Sequence, residues 1–497
     1  MKAKIKISRD NIISPIDDRL YSSFVEHMGR AIYTGIYEPN HPTADENGFR
    51  QDILELIRPL NLSLIRYPGG NFVSGYRWED GVGDRSQRPM RRDLAWMAME
   101  PNEIGTNEFV DFCRKAGTEP MMAVNLGTRG AQEAADLVEY CNVAEGSYFS
   151  DLRKSHGWEK PHGIKLWCLG NEMDGPWQIC AKTADEYGRL ACETAKMMKW
   201  MDPSIELVAC GSSGRTMPTF GDWERTVLRH CGQYVDYLSL HQYYQNDDGD
   251  IPSFLARSCE MDSFIKEVAE ICRQYKEETG SDRDIYLSFD EWNVWYHFKK
   301  AGKEPPKWIT ARPIEEEQYD FADALLVGSM LTTLINNANT VKIACMAQLV
   351  NVIAPIMTEP GGRAWAQTIY YPLLLTSQYG RGTALKPEVD CPKYACQVSN
   401  SVPYLDCAAV LSKDANMLTV ILVNKNLDEE LICNLELDGV AVAAEQITLT
   451  APSLSSTNTA DNQCVAESRH RLETGIHVLS ATLPPASWNM IRIRLQN

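Results

Sequence analysis

The sequence has no long hydrophobic run and no arrangement of cysteines typical of a disulfide framework. No uninterrupted apolar stretch approaches the ~20 residues that a helix needs to cross a bilayer, and the amino terminus alternates basic and apolar residues instead of forming a secretory leader. The 15 cysteines are scattered singly through 497 residues. We therefore expect reduced thiols, a cytoplasmic location and no membrane contact.

Basic residues are outnumbered by acidic ones. The chain has 49 Lys and Arg against 67 Asp and Glu, a formal net charge of -18. Such an acidic protein repels phosphate backbones, so no nucleic-acid partner is expected, whereas neutral sugars are indifferent to the charge.

Three common functional signatures are missing. Gly69 and Gly70 are not followed by the Lys and Ser/Thr of a phosphate-binding loop. The stretch 210–214 comes nearest to a serine-hydrolase elbow but does not fit its pattern. Cys391 and Cys396 are too loosely spaced for a zinc site, and no other spacing suggests one. We expect neither a metal nor a cofactor.

What the chain does contain, between about residues 19 and 370, is an alternation of short apolar runs with helical patterns. The runs are mostly apolar on both faces, as in a covered parallel sheet. They lie at residues 21–26, 62–67, 121–125, 164–169, 205–210, 235–241, 285–291 and 341–348. Helical patterns between them include 103–117, 131–141, 183–201, 263–279 and 314–338. Eight strands alternating with helices predict an α/β fold, a (β/α)₈ TIM barrel.

After about Tyr371 the pattern changes to shorter alternating runs separated by turn residues, which is typical of a β-sandwich. These runs lie at 404–411, 417–423, 431–437, 478–483 and 490–495, and the polar stretch 453–462 is predicted to be an exposed loop. Residues 1–14 look like one more strand that joins the sandwich. We therefore divide the chain into an N-terminal strand (1–15), a catalytic barrel (16–370) and an all-β, jelly-roll-like sandwich (371–497). The sandwich is expected to buttress the barrel.

Two of the predicted strands deliver glutamates at their carboxyl ends. Glu172 follows the fourth run, directly after Gly170 and Asn171, and Glu291 ends the seventh run before Trp292. The carboxyl ends of barrel strands meet on one rim, and two carboxylates on one rim are what hydrolysis of a glycosidic bond requires. An isolated Asn–Glu pair more often begins a surface helix, but its position after an apolar strand favours catalysis here.

The two glutamates are expected to play different roles. Glu172 would be partly desolvated beside a second carboxylate, which suits a general acid/base, while Asn171 can bond the hydroxyl next to the reacting carbon. Glu291 would be the nucleophile, with Tyr243 as one donor to it. Asp290 is its rival. Because adjacent strand residues face opposite sides, we expect Glu291 to face the cavity and Asp290 to bond behind the strand. The carboxyl groups should lie about 5–5.5 Å apart, the spacing of a retaining enzyme.

Other polar side chains fall at strand ends where a sugar would bind. Sugar sites need many such groups because each hydroxyl must recover the hydrogen bonds that it loses to water. The candidates are Glu26, Arg66, Asn71 and Gln348, although a buried arginine such as Arg66 is as often a structural ion-pair partner. Trp96, Trp177 and Trp295 can stack on sugar faces or belong to the core.

Taken together, these segments resemble glycoside hydrolase family 51, the α-L-arabinofuranosidases. The resemblance covers essentially the whole chain and is carried by residues 23–27, 66–72, 78–83, 121–130, 169–177, 290–296 and 347–353. It implies that Glu172 is the acid/base and Glu291 the nucleophile. It also implies that Arg66 supports the nucleophile and that the arabinofuranosyl unit is bound by Glu26, Asn71, Asn171, Tyr243 and Gln348.

The resemblance further implies no cofactor, a homo-oligomer (a hexamer is favoured) and an intracellular role on arabinofuranosyl-containing oligosaccharides. The leading hypothesis is a retaining, exo-acting α-L-arabinofuranosidase. Two alternatives stay open: an endo-β-1,4-glucanase or β-xylosidase on the same scaffold, and a non-catalytic carbohydrate-binding protein. The loop 296–308, with Lys299, Lys300 and Lys303, is expected to set the leaving-group preference.

Overall fold

The computed structural model describes residues 1–297, 305–475 and 477–496. Lys299, Lys300 and Lys303, on which the expectation about leaving-group preference rests, lie outside these residues. The first fourteen strands in chain order are β1 Lys2–Ile7, β2 Ile12–Pro15, β3 Ser22–Phe24, β4 Leu64–Tyr67, β5 Arg91–Asp93, β6 Ala98–Glu100, β7 Glu119–Val124, β8 Leu166–Leu169, β9 Glu206–Ala209, β10 Tyr237–Tyr244, β11 Tyr286–Val294, β12 Val341–Ala347, β13 Ile356–Thr358 and β14 Ala364–Ala366.

Eight of these strands form a closed barrel with parallel neighbours, in the order β10, β11, β12, β3, β4, β7, β8, β9. They are the eight predicted strands, and the predicted TIM barrel is confirmed. Every residue of β8 is buried, because barrel side chains cover one face and helices cover the other.

The helices are α1 Gln51–Ile57, α2 Thr106–Ala116, α3 Ala131–Asn142, α4 Tyr148–Ser155, α5 Ala184–Met201, α6 Asp222–Cys231, α7 Ile251–Leu255, α8 Arg257–Thr279, α9 Phe321–Asn336 and α10 Tyr370–Tyr379. The helix predicted over 314–338 begins only at Phe321. Before it, the Tyr319 amide donates to the Gln367 side chain at 3.0 Å instead of to a helical carbonyl, and the Asp320 side chain then caps the helix.

Helix α9 joins the barrel to the rest of the chain. It is buried along nearly its whole length, because it packs on α8 and β11 on one side and on C-terminal strands on the other. A helix that is apolar on all faces needs such a fully covered position. Gly328 allows the closest approach, since a Cβ there would lie 2.4 Å from the Trp488 ring.

The C-terminal strands are β15 Thr383–Leu385, β16 Glu388–Asp390, β17 Lys393–Tyr394, β18 Val402–Pro403, β19 Leu405–Leu411, β20 Met417–Asn424, β21 Leu431–Leu437, β22 Ala441–Thr450, β23 Ala466–Leu472, β24 Val478–Leu483 and β25 Ser487–Leu495. They build a seven-stranded sheet (β2, β15, β19, β20, β25, β22, β23) and a four-stranded sheet (β16, β1, β21, β24), which confirms the all-β C-terminal region. The short strands β15 to β18 and the longer strands β22 and β23 were not predicted. Strand β23 is exposed almost throughout and so lacks an apolar alternation.

Two details of the sequence analysis are corrected here. Residues 1–14 form two strands, because a turn in which the Asn11 amide donates to Ser8 sends β1 and β2 into different sheets. The segment 453–462 forms no helix or strand, but Asn458 within it is buried and donates to the Ala366 carbonyl. The division at residues 15 and 370 remains a prediction, with α10 beginning at the second limit. Within the described part of the chain, no helix has the length and apolarity that a bilayer crossing would require.

Candidate active site

The chain turns sharply where β8 ends and Glu172 begins its loop. Gly170 and Glu172 both have positive φ, 87° and 43°. Positive φ is uncommon for a residue with a side chain, and such strain concentrates at functional sites. The turn presents Asn171 and Glu172 at the rim of the barrel, where strand-end side chains from several strands meet.

The Glu172 carboxylate is held by two ring nitrogens. His241 Nδ1 lies 2.9 Å from Oε1, and the Trp177 indole N–H donates to Oε2 at 2.7 Å. The side chain of Glu172 keeps 10% of its surface exposed, whereas His241 is fully enclosed at 2%. A carboxyl that is fixed yet partly exposed suits the predicted exchange of protons with a substrate and water.

The Glu291 carboxylate has a different environment, made of strong donors. Arg66 Nη1 donates to Oε1 at 2.6 Å, and the Tyr243 hydroxyl donates to Oε2 at 2.8 Å. Arg66 also donates from Nη2 to Asn171 Oδ1 at 2.7 Å, which ties the two strand ends together. Charge-assisted hydrogen bonds of this kind hold a carboxylate in a fixed orientation, as a nucleophile requires. Arg66 is therefore an ion-pair partner, and its partner is the predicted nucleophile.

The two carboxylates lie close together. One oxygen of Glu172, one oxygen of Glu291 and a ring nitrogen of His241 all lie within 4.8 Å of one another. An inverting glycosidase separates its carboxyl groups by about 6.5–9.5 Å to admit a water molecule, whereas a retaining enzyme keeps them about 5–5.5 Å apart. The observed spacing favours the retaining arrangement. Two-carboxylate hydrolysis needs no metal or cofactor, and that expectation remains a prediction.

Asp290 does not lie behind its strand, and the sequence analysis was wrong on this point. Its carboxylate lies 3.6 Å from Arg66 Nε and 3.2 Å from His241 Nε2, so it shares both neighbours with Glu291. The reason is a bulge in β11. The pairing with β10 steps from Ser239–Ser288 to His241–Glu291, which places one extra residue on β11. A bulge breaks the alternation of side chains, so both acidic residues face the barrel interior.

His241 was not among the predicted site residues. It lies two positions before Tyr243 on β10 and therefore shares its face, a signal that strand periodicity offers. Burial lowers the pKa of His241, but the carboxylates of Glu291, Asp290 and Glu172 outweigh it and raise the pKa to about 10. His241 thus carries a positive charge between the two predicted catalytic carboxylates at neutral pH.

Glu26 forms the centre of a second polar group. Its Oε1 accepts from the Phe72 amide at 2.9 Å and from the Trp96 indole at 2.8 Å, and Gln348 Nε2 lies 3.4 Å from Oε2. Gly70 permits this contact, because a Cβ there would lie 2.2 Å from Glu26 Oε2. Asn71 begins the 3-10 turn Asn71–Gly75 directly after it. Burial raises the pKa of Glu26 to about 8, and the nearby Glu291 charge adds to the effect.

The predicted tryptophans all contact carboxylates at the site or beside it. The indoles of Trp96 and Trp177 bond Glu26 and Glu172. Trp295 packs its edge against Tyr243 and donates to Glu315 at 2.6 Å. Of the three, Trp177 is the most open, with 51% of its surface exposed. None of them is a core residue remote from the rim.

The Asn171 side chain has one polar atom that makes no hydrogen bond within the protein. Its Oδ1 accepts from Arg66, while Nδ2 is buried and has no hydrogen-bond partner. A buried unpaired donor costs about 1–3 kcal/mol, so it favours a ligand that accepts a hydrogen bond at this point. That is the position from which Asn171 was predicted to bond a sugar hydroxyl.

Two family models match the chain. The "Alpha-L-arabinofuranosidase 1 domain" matches residues 56–265, and the "Alpha-L-arabinofuranosidase C-terminal domain" matches residues 290–487. The chain is 56% identical to the intracellular exo-alpha-(1->5)-L-arabinofuranosidase 1 of Bacillus subtilis, over 100% of both chains. It is 45% identical to an exo-alpha-(1->6)-L-arabinofuranosidase of Bifidobacterium longum, over 99% of this chain and 97% of that one.

Solved structures agree. A family 51 alpha-L-arabinofuranosidase from Bifidobacterium longum superposes with a TM-score of 0.95 at 42% identity, over 99% of each chain. The alternatives of a glucanase, a xylosidase or a non-catalytic sugar-binding protein find no support among these relatives. The chain belongs to the α-L-arabinofuranosidases of glycoside hydrolase family 51.

Proposed function

We propose that the protein is a retaining, exo-acting α-L-arabinofuranosidase that removes terminal non-reducing α-L-arabinofuranosyl residues from arabino-oligosaccharides. The observation that carries the proposal is the pair of carboxylates within 4.8 Å on one rim, Glu172 and Glu291. Their surroundings differ as their roles require: Glu291 is held by strong donors, and Glu172 stays partly exposed.

The reaction would proceed in two displacements. In the first, Glu291 attacks the anomeric carbon while Glu172 gives its proton to the leaving oxygen, so the glycosidic bond breaks as a glycosyl ester forms. In the second, Glu172 takes a proton from water, which attacks the same carbon and releases the Glu291 carboxylate. Each step inverts the carbon, so two steps retain its configuration.

The sugar itself would be held by the groups around the pair. We assign this binding to Glu26, Asn71, Asn171, Tyr243 and Gln348, with Arg66 orienting Glu291. The free Nδ2 of Asn171 would donate to the hydroxyl next to the reacting carbon, a bond that strengthens as charge develops in the transition state. Trp96, Trp177 and Trp295 would provide apolar surface beside these groups.

The anomeric configuration of the first product tests the two-step mechanism. We expect proton NMR during hydrolysis of an aryl α-L-arabinofuranoside to show α-L-arabinofuranose first, followed by slow mutarotation. A β-configured first product would contradict the proposal, because a single displacement inverts the carbon.

We propose that the preferred linkage is α-(1→5). The relative at 56% identity is named for this linkage, while the relative at 45% is named for α-(1→6). A panel of linear (1→5)-linked and branched arabino-oligosaccharides, with aryl β-xyloside and soluble glucan as controls, measures the preference. We expect the highest kcat/KM on the linear oligosaccharides and no turnover of the controls. A preference for xyloside or glucan would overturn the assignment.

The protein is further proposed to act in the cytoplasm as a homo-oligomer, with a hexamer favoured. Support comes from the relative named intracellular, and from the cysteines, of which none forms a disulfide among the described residues. Large exposed side chains such as Trp200 and Tyr148 are available for contacts between copies. Light scattering on the eluting protein measures the oligomer order, and a monomer at micromolar concentration would contradict this part of the proposal.

The raised pKa of Glu26 predicts that sugar binding depends on pH. Its pKa of about 8 keeps the carboxyl neutral at pH 7, and ionisation above pH 8 places a second negative charge near Glu291. We expect the affinity for L-arabinose to fall above pH 8, and Glu26→Gln to remove this fall while weakening binding at pH 7. Asn71→Ala, which removes no titrating group, should weaken binding by the same factor at all pH values and so keep the fall above pH 8. If the fall in affinity above pH 8 persists in Glu26→Gln, Glu26 is not its cause.

A further inference from the structure

His241 lies between Glu172 and Glu291, which carry the negative charge at different stages of the proposed reaction. Its Nδ1 is 2.9 Å from Glu172 Oε1 and 3.5 Å from Glu291 Oε2. The other ring nitrogen, Nε2, lies 3.2 Å from Asp290 Oδ1. One nitrogen therefore faces both reacting groups, and the other faces a carboxylate that takes no part in bond making.

The negative charge of the site moves between these two carboxylates. Before attack the charge belongs to Glu291, and Glu172 holds a proton. In the glycosyl-enzyme Glu291 is a neutral ester, and Glu172 has given its proton away and is charged. Hydrolysis of the ester reverses both changes. Nδ1 has a hydrogen bond to Glu172 and an ion-pair contact with Glu291, so a small shift of the ring lets this single N–H donor bond whichever oxygen is charged at each stage.

We infer that His241 and Asp290 form a positioning dyad in which the imidazolium N–H at Nδ1 follows the negative charge from Glu291 to Glu172 and back. This inference rests on the proposed two-step mechanism. No proton leaves His241 in either step, since its N–H only changes acceptor. In this role neither residue binds the sugar, and both act through the two glutamates.

Asp290 is placed to hold the ring in this state. The bulge in β11 brings its carboxylate inside the barrel, where Arg66 Nε at 3.6 Å and the Cys168 thiol at 3.7 Å fix it from the other side. The titratable and charged groups around the imidazole are Glu172, Asp290 and Glu291, with Arg66 and Tyr243 bonded to the same carboxylates. The contact between His241 Nε2 and Asp290 Oδ1 is an ion pair without hydrogen-bond geometry, so Asp290 favours the protonated ring through its charge.

The first test is the pH profile of Asp290→Asn. Without the Asp290 charge His241 loses its proton more easily, so in the Glu26→Gln background, which lacks the fall above pH 8, we expect the alkaline limb of kcat/KM to move to lower pH by about 1–3 units. Asp236→Asn is the matched control. Asp236 precedes β10 at the opposite end of the barrel and pairs with Lys199 and Arg283, so its loss should leave the profile unchanged.

The second test separates the two half-reactions in His241→Gln. We expect kcat on a nitrophenyl arabinofuranoside to fall about 10²-fold with an initial burst of nitrophenol, because release of Glu291 from the ester becomes slow. We expect kcat/KM on (1→5)-arabinobiose to fall by a similar factor, because protonation of the leaving sugar is also impaired. Circular dichroism and a thermal melt confirm that each variant is folded.

The outcomes are distinct. An unshifted alkaline limb in folded Asp290→Asn, or a loss in His241→Gln that is confined to one half-reaction, would overturn the dyad. A wild-type enzyme that fails to hydrolyse either substrate, or that inverts the anomeric carbon, would overturn the proposed function itself. If Asp290→Asn does not fold, the half-reactions of His241→Gln decide alone.

Discussion

Glu291→Ala is expected to remove turnover of an aryl α-L-arabinofuranoside, with kcat/KM falling by about 10⁴-fold or more, as for removal of other catalytic nucleophiles. Arg66 and Tyr243 would then be left without the carboxylate that they hold, and the group that forms the glycosyl ester would be missing. A good leaving group does not help, because the missing step is the attack itself. The measurement is release of nitrophenol by enzyme freed of wild-type contamination.

Added azide provides a second test of the nucleophile in Glu291→Ala. Azide can occupy the space of the lost carboxylate and attack from the same face, which gives at most a product of inverted configuration. Glu267→Ala is a suitable control, because Glu267 is an exposed partner of Arg215 and should leave activity unchanged. Turnover of Glu291→Ala within tenfold of wild type, or an azide product that retains configuration, would exclude Glu291 as nucleophile.

Glu172→Ala is expected to discriminate between leaving groups. Loss of a general acid costs about 10²–10⁴-fold where the leaving oxygen needs a proton, and little where it does not. We therefore expect kcat/KM to fall by about 10³-fold on (1→5)-arabinobiose and by about tenfold or less on a dinitrophenyl arabinofuranoside. A linear free-energy plot over aryl substrates of graded leaving-group pKa measures the change in slope.

The second half-reaction gives an independent check of Glu172. Without its general base the variant should accumulate the glycosyl-enzyme, and azide, which needs no deprotonation, should restore release as an azide of retained configuration. The His241 and Trp177 nitrogens that hold this carboxylate remain in place, so the pocket should persist. Equal losses on both substrates, with no rescue by azide, would remove Glu172 from the acid/base role.

Much of the architecture follows from local pattern. The eight apolar runs of the barrel are recognisable because each strand is covered on both faces and must be apolar along its length. The alternation after residue 371 is equally legible because each sheet there has a core face and an outer face. Strand β23 shows the limit of this reasoning, since its pairing with β22 holds an exposed strand without any apolar period.

Local sequence was enough to predict which strand ends carry acidic and amide side chains, and so to predict Glu172 and Glu291 as the catalytic pair. An apolar run that ends in a carboxylate is a local signal, and the barrel brings all such ends to one rim. The position of Tyr243 at the end of the sixth run also made it a predicted donor to Glu291, and its hydroxyl donates to that carboxylate.

The surroundings of those carboxylates could not be predicted from local sequence and are known only from the folded chain. Whether Asp290 faces inward depends on a bulge, and a bulge exists only relative to the neighbouring strands β10 and β12. The charge on His241 likewise depends on distant residues. Glu172 lies 69 residues before it, just after β8, and Asp290 and Glu291 lie about 50 residues after it on β11. Such effects are not encoded in any local window, because electrostatic energies depend on distances that folding alone creates.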